Sequence, residues 1–256
     1  MRLPAYILMI ILLAACSSND DSTNTNPENR DFKQEMRNFV IGISQKAKVM
    51  NPNFAVIPQN GIELVSNTGE EDGSPATAYL NAIDGNGQED LLYGYDNDDQ
   101  ATPADATAYL KNFLNISKNA GKAILVTDYC STPSKMADSY AKNQAAGYTS
   151  YAAPDRALAV IPAGEPHNVN SDNITTLAQA KNFIFFINPE NYANKATFIS
   201  AVNATNYDAV IMDLFLENEP FTAAEIAQLK HKANGGSRLV ICYMSIGEAE
   251  DYRYYW

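Results

Sequence analysis

Carboxylates and amides gather where the apolar runs of this chain end. Gln59 and Asn60 follow "FAVIP", and Glu89 and Asp90 stand in "GQED". Asp128 and Tyr129 close "KAILVTDY", Asn188 closes "NFIFFIN", and Asp213 closes "YDAVIMD". Ser245, Glu248 and Glu250 follow "RLVICYM", and Tyr252, Arg253, Tyr254, Tyr255 and Trp256 come next. Glycoside hydrolysis needs such a set: one carboxylic acid protonates the leaving oxygen, and a second carboxylate attacks or activates water. Amides meet sugar hydroxyls and aromatic faces stack on sugar rings. Retaining and inverting chemistry both stay open, because spacing along a chain does not give the separation of two carboxyl groups. No Ser–His or Cys–His pair stands among these residues, which argues against acyl transfer. His167 and His231 lie far apart and show no metal-ligand spacing, and "GNG" at 85–87 lacks the rest of a phosphate-binding motif. No metal or cofactor is expected.

Each residue also has a structural alternative. An acid after a strand often caps the next helix or pairs with a neighbouring strand, which applies to Asp213, and Asp90 and Asp128 could cap turns. Glu250 and Arg253 lie three apart and could form an ordinary helical ion pair. Pro58-Gln59-Asn60-Gly61 could be only a turn. The functional reading rests on the set.

These residues matter only if a fold brings the strand ends together. Seven apolar runs read as strands, at 54–58, about 82–92, 123–128, 157–161, 183–187, 208–213 and 239–244. Most are near-continuous rather than alternating, as in parallel strands covered on both faces. Helical patterns intervene. Phe32, Met36, Phe39, Val40, Ile43 and Ala47 share one face of a helix over 31–49. Further helices are expected from 102 to 121, at 136–146, 174–181 and 194–204, and from the capping box "TAAE" (222–225) to "NGG" (234–236). Such alternation predicts an α/β fold, a (β/α)8 TIM barrel with seven of its eight strands present and the last lying past the C-terminal end. An open doubly wound sheet is the alternative, since seven strands suit it directly. In either, functional groups sit at the carboxyl ends of the strands.

The full chain carries a net charge of −12. That balance excludes a nucleic-acid partner, which needs clustered Lys and Arg. Residues 1–16 read as a signal segment: Arg2, an apolar stretch too short for an ordinary membrane span, then "LAAC", which resembles a bacterial lipobox with Cys16 as the lipidated residue. Residues 17–30 are a polar tether, and 31–256 form the folded domain. The expected location is the bacterial cell envelope, facing the periplasm or exterior, with membrane contact only through the N-terminal lipid. Cys130 and Cys242 end apolar runs, where free cysteines act as small buried hydrophobes.

"YDAVIMDLF", "RLVICYMSIGEAEDYRYYW", "PQNG" and "IDGNGQEDLLYGY" together resemble glycoside hydrolase family 114 over roughly 32–256, with "SIGEAEDYR" the most specific element. Members of that family are extracellular TIM barrels described as endo-α-1,4-polygalactosaminidases or related polysaccharide hydrolases. The order of motifs differs: "PQNG" and "GQED" precede "FIFFIN" here, as in a circular permutation. The family's strand of the type "FDGVYLD", with its aspartate, has no counterpart here. The resemblance implies Glu89 as general acid, with Asp213 and Glu248 as further catalytic carboxylates. It implies Gln59, Asn60, Asp128, Tyr129, Asn188, Ser245, Glu250, Tyr252 and Arg253 as substrate contacts on the rim. It implies an endo-acting hydrolase of a galactosamine- or galactose-containing polysaccharide. The chain alone would be inactive without the missing carboxylate. A non-catalytic, glycan-binding surface lipoprotein would use the same rim.

Overall fold

The computed structural model describes residues 30–216 and 219–246. The chain divides into two units, Met1–Phe32 and Lys33–Trp256, and the architecture below is that of the second. Along it run α1 (Phe32–Met50), α2 (Thr77–Ala82), β1 (Gly85–Glu89), α3 (Ala104–Asn119), β2 (Ala123–Tyr129), α4 (Pro133–Ala146) and β3 (Thr149–Ala153). Then come β4 (Phe183–Phe186), α5 (Lys195–Asn203), β5 (Ala209–Asp213), β6 (Phe215–Leu216), β7 (Glu219–Pro220), α6 (Ala223–Leu229) and β8 (Leu239–Tyr243). Among the described residues no helix is long and apolar enough to cross a membrane.

The fold is mixed α/β, but the expected barrel is not formed. Strands β1-β2-β3 make one parallel sheet, β4-β5-β8 make another, and β6-β7 is an antiparallel hairpin. The sheets are not closed, and neither the eight-stranded ring nor a single doubly wound sheet describes them. Two expected strands explain the difference. Residues 54–58 do run beside β1, through Asp84 N–H to Val56 O, Gly87 N–H to Pro58 O and Asn60 N–H to Gly87 O, each 2.8 Å. Pro58 has no N–H to extend a ladder, so only an isolated parallel bridge, Gln59 to Gly87, remains. The run 157–161 contains Leu158 at φ 52°, a left-handed conformation that no strand tolerates, and it forms no ladder. The strand lies earlier, in "TSYAA" (149–153), whose alanines and serine gave little apolar signal. The helix expected at 174–181 contracts to a 3₁₀ turn, Leu177–Gln179, closed by a reciprocal Thr176–Gln179 capping box.

α1 forms where its periodicity places it, and Val40 of the expected face is buried, but the buried face is rotated away from Phe32, Met36 and Phe39. Arg37, Val40 and Ser44 are its buried residues, while Met36 is 40% and Phe39 49% exposed. Carbonyls of the neighbouring segments meet the buried face. Arg37 Nε donates to Leu64 O at 2.9 Å, its Nη2 donates to Ser66 O, and Ser44 Oγ donates to Ala82 O at 2.6 Å. A buried acceptor left unpaired costs about 1–3 kcal/mol, similar in size to what exposing one apolar side chain forgoes.

Alternation on β2 sorts the core into two clusters. Ile124 and Val126 pack with Phe113 and Leu114 of α3, while Leu125 and Tyr129 pack with Tyr151 and the phenylalanines of β4. At the start of β5, Asp208 and Lys232 form an ion pair with both side chains fully buried, 2.8 Å apart. The Asp208 carboxylate also accepts from Lys181 N–H (2.8 Å) and Asn170 Nδ2 (2.9 Å), so it knits the starts of β4 and β5. The N-terminus of α4 is capped from far away. Asp99 accepts from the N–H of Ser131 (3.0 Å) and Thr132 (2.9 Å), and from Lys135 Nζ (3.0 Å).

Removing one partner of a buried pair strands the other charge. Lys232→Met is therefore expected to cost about 3–5 kcal/mol in urea unfolding. A loss under about 1 kcal/mol would contradict the structural weight given to the pair. Hydrogen bonds from Thr132 and Lys135 hold the Asp99 carboxyl well below the usual carboxylate range. A depressed acid contributes stability above its unfolded pKa of about 3.9 and loses it as pH falls. The Tm gap between the native protein and Asp99→Asn should accordingly shrink as pH drops from 5 towards 2; a constant gap speaks against the cap.

Candidate functional site

The best-defined polar cluster lies at the carboxyl ends of β1 and β2. Register places Glu89 beside Thr127, and the next residues of the two chains, Asp90 and Asp128, diverge. Asn60, at φ 56°, starts a left-handed turn with Gly61 that carries the chain away from β1 and leaves the Asn60 amide facing Glu89. Asparagine tolerates that conformation better than most residues. Asn60 Nδ2 donates to Glu89 Oε2 at 2.7 Å, and Asn60 Oδ1 accepts from Glu89 N–H at 3.0 Å. The Tyr129 hydroxyl donates to the other oxygen, Oε1. The half-exposed Glu89 carboxylate is thus gripped at both oxygens, and the Gln88 amide braces the turn through Asn60 Oδ1 (3.4 Å) and Glu89 O (2.8 Å).

Gln59 lies over Gly87. A Cβ on Gly87 would stand 1.8 Å from Gln59 Oε1, so this close approach requires glycine. The Gln59 Nε2 is buried, as is the Gln88 Oε1, and neither has a hydrogen-bond partner among the described residues.

Asp128 does something other than meet a sugar. It is fully buried, and four donors reach it: Leu92 N–H (2.8 Å) and Tyr93 N–H (3.3 Å) on Oδ1, Ser139 Oγ (2.6 Å) and Asn143 Nδ2 (3.0 Å) on Oδ2. Burial pushes its carboxyl upward against these donors. Its role is to bracket the loop after β1 onto α4. Tyr129 is likewise no open stacking platform. Its ring is buried and the Arg156 guanidinium lies over it, 3.9 Å from the ring centroid. Burial, then the Glu89 charge, pushes its hydroxyl well above the ordinary tyrosine range, so it stays a donor.

Sequence reasoning missed Arg156. It donates to Asp90 Oδ1 (3.0 Å), Asp98 Oδ1 (2.5 Å) and Gly94 O (2.6 Å). Burial opposes its charge, but Asp90 and Asp98 outweigh that and raise its pKa. Burial also pushes the Asp90 carboxyl up, with Arg156 opposing. A signal for Arg156 existed: it follows β3 by three residues, so placing that strand at 149–153 puts Arg156 at a carboxyl end.

The other expected residues spread out. Asn188 is exposed and donates through Nδ2 to Ala157 O, tying the end of β4 to the loop after β3. Asp213, at the end of β5, is mostly buried and accepts from Phe215 N–H at 2.9 Å, the geometry of a turn. Ser245 is half-buried just past β8. Cys16, Glu248, Glu250, Tyr252 and Arg253 lie outside the described residues. Among those described, no cluster of His, Cys, Asp or Glu could hold a metal ion. A separate hollow of about 250 Å³ is lined by Tyr140, Pro162, Glu165, His167 and Tyr207, among others, and none of the expected site residues lines it.

No family model matches the chain. An uncharacterized protein of Methanocaldococcus jannaschii is 31% identical over 90 residues, 34% of this chain and 24% of its own. An uncharacterized protein of Deinococcus radiodurans is 28% identical over 119 residues, 46% of this chain and 35% of its own. The chain thus spans about a quarter to a third of the length of these relatives.

The obstacle above Gly87 is the end of a flexible side chain. Gly87→Ala is therefore expected to fold, with a Tm within about 4 °C of the native value, while the Gln59 side-chain amide resonances shift in heteronuclear NMR spectra. Unmoved Gln59 signals would refute the packing described.

Proposed function

We propose that the Glu89 cluster is a carbohydrate site and that the protein is a glycoside hydrolase acting within an amino-sugar polysaccharide, with Glu89 as a reacting carboxylate. The observation that carries this is the grip on Glu89: a half-exposed carboxylate at a strand's carboxyl end, fixed at one oxygen by Asn60 and at the other by Tyr129. Carboxylate catalysis depends on placement within fractions of an ångström, and two donors from separate segments give that placement. The resemblance of "PQNG", "GQED" and "SIGEAEDYR" to glycoside hydrolase family 114 supplies the reaction class and points to galactosamine polymers. Among the described residues, Glu89, Asp90 and Asp98 outnumber the one cation of the cluster, Arg156, so the cluster stays acidic, which suits a cationic sugar chain.

A second reading has an observation of its own. Both oxygens of Glu89 accept hydrogen bonds and Asp90 is tied to Arg156, so both carboxylates are held by donors of the protein itself. A glycan-binding protein without turnover needs no proton donor.

One assay separates the two. The full-length protein is incubated with partly acetylated poly-galactosamine, reducing ends are counted, and affinity is measured by calorimetry. The hydrolase reading expects turnover that Glu89→Gln lowers by a factor of about 10² or more, with affinity changed little. Binding without turnover in the native protein favours the second reading, and absence of both overturns the carbohydrate assignment.

A further inference from the structure

Arg156 is the cation of this cluster, and its contacts look inward. Asp90 and Asp98 hold it from one side, Gly94 O accepts from it at 2.6 Å, and its guanidinium covers the Tyr129 ring at 3.9 Å. Those partners lie on the loop after β1, while Arg156 itself lies on the loop after β3. One side chain therefore bridges two loops across the end of β2. Arginine suits the task because its planar guanidinium stacks on an aromatic face and forks to carboxylates at once.

Below the guanidinium, the Tyr129 hydroxyl meets Glu89 Oε1. The ring cannot tilt without breaking either the stack or that hydrogen bond. A cation over a phenol ring also polarises it, making the hydroxyl a better donor to a carboxylate. Asn60 fixes the opposite oxygen of Glu89 from β1's other neighbour.

We infer that Arg156 is a positioning residue for Glu89, acting through the Tyr129 ring and hydroxyl and not by touching a ligand. The inference rests on the reading of Glu89 as the reacting carboxylate only for its functional meaning; the mechanical coupling stands on geometry alone. The charged and titratable groups facing this stack are Glu89, Asp90 and Asp98, with Asp128 behind on the α4 side. Lysine at position 156 would keep the charge and lose the plane, and methionine would keep much of the cover and lose the charge and both forks.

The test needs no substrate. A buried tyrosine hydroxyl donating to a carboxylate gives a downfield proton resonance protected from exchange with water, assigned here by its loss in Tyr129→Phe. We expect Arg156→Met to speed exchange of that proton at least about tenfold, Arg156→Lys to give an intermediate rate, and Asp98→Asn to give a smaller increase in the same direction. Should Arg156→Met fail to fold, as judged by its amide spectrum, the Lys and Asp98→Asn variants carry the decision. An unchanged exchange rate in the folded variants overturns the inference. Turnover on poly-galactosamine is then read separately. A lower kcat at unchanged KM in Arg156→Met, partly restored by Lys, supports positioning, whereas a raised KM with unchanged kcat marks a ligand contact and overturns it. Full turnover in Glu89→Gln would dismiss the hydrolase role of Glu89 and leave the exchange result standing.

Discussion

The buried Asp128 carboxylate is the point on which this end of the molecule depends. A charge out of water is tolerated only where donors surround it, and here all four come from segments that would otherwise be free to separate. Two backbone N–H groups fix the chain immediately after Asp90, and two side chains fix α4. The peptide plane that presents Glu89 is therefore referenced to β2 and α4 together. Glu89, Tyr129 and Arg156 inherit that frame, since Tyr129 is the next residue along β2 and the Arg156 forks land on the loop Asp128 restrains.

The second sheet follows the same rule at its opposite end. Asp208 and Lys232 are buried as a pair and surrounded by amides and N–H groups, so the starts of β4 and β5 are set by a polar knot while their middles are set by Phe183, Phe185 and Phe186 packing. Each sheet has an apolar centre and a polar lock. The lock at the carboxyl end of β1 and β2 stands beside the candidate site, and the lock under β5 stands at the amino ends, where parallel α/β proteins keep their stabilising groups.

Much of this was readable from residues alone, and the failures have identifiable causes. Continuous apolar runs located β2, β4 and β5, because strands buried on both faces cannot afford polar alternation, and the same signal located β8, which is only half-buried and leaves Cys242 exposed. The capping box at 222–225 located the start of α6, though the helix stops at Leu229, short of the expected glycines. The barrel expectation failed on local chemistry that hydropathy does not register: Pro58 cannot donate, Leu158 is left-handed, and "TSYAA" is a strand despite a composition that favours no element. The same error hid Arg156, because a residue's role depends on which strand end it follows. Glu89 and Asn60 were each legible as strand-end residues, and the bond between them follows from residues 54–58 lying beside β1, which the sequence did not show. Asp128 was legible at a strand end with two readings open, and its bonds to Leu92 N–H and Tyr93 N–H are those of the structural one, since a sequence does not say which side of a sheet a strand residue faces. In α1 the apolar stripe located the helix and one of its buried residues, Val40, while the burial of Arg37 and Ser44 depends on carbonyls of distant segments that periodicity does not register.

Asp99 caps a helix that begins more than thirty residues later. A helix whose Ncap residue supplies its own oxygen can nucleate as an isolated peptide, whereas α4 starts at Thr132, whose side chain makes no capping bond. Its first turn becomes secure only after the loop bearing Asp99 has folded back across β2. The birth of α4 is thus tied to long-range closure of the chain onto a segment synthesised before it.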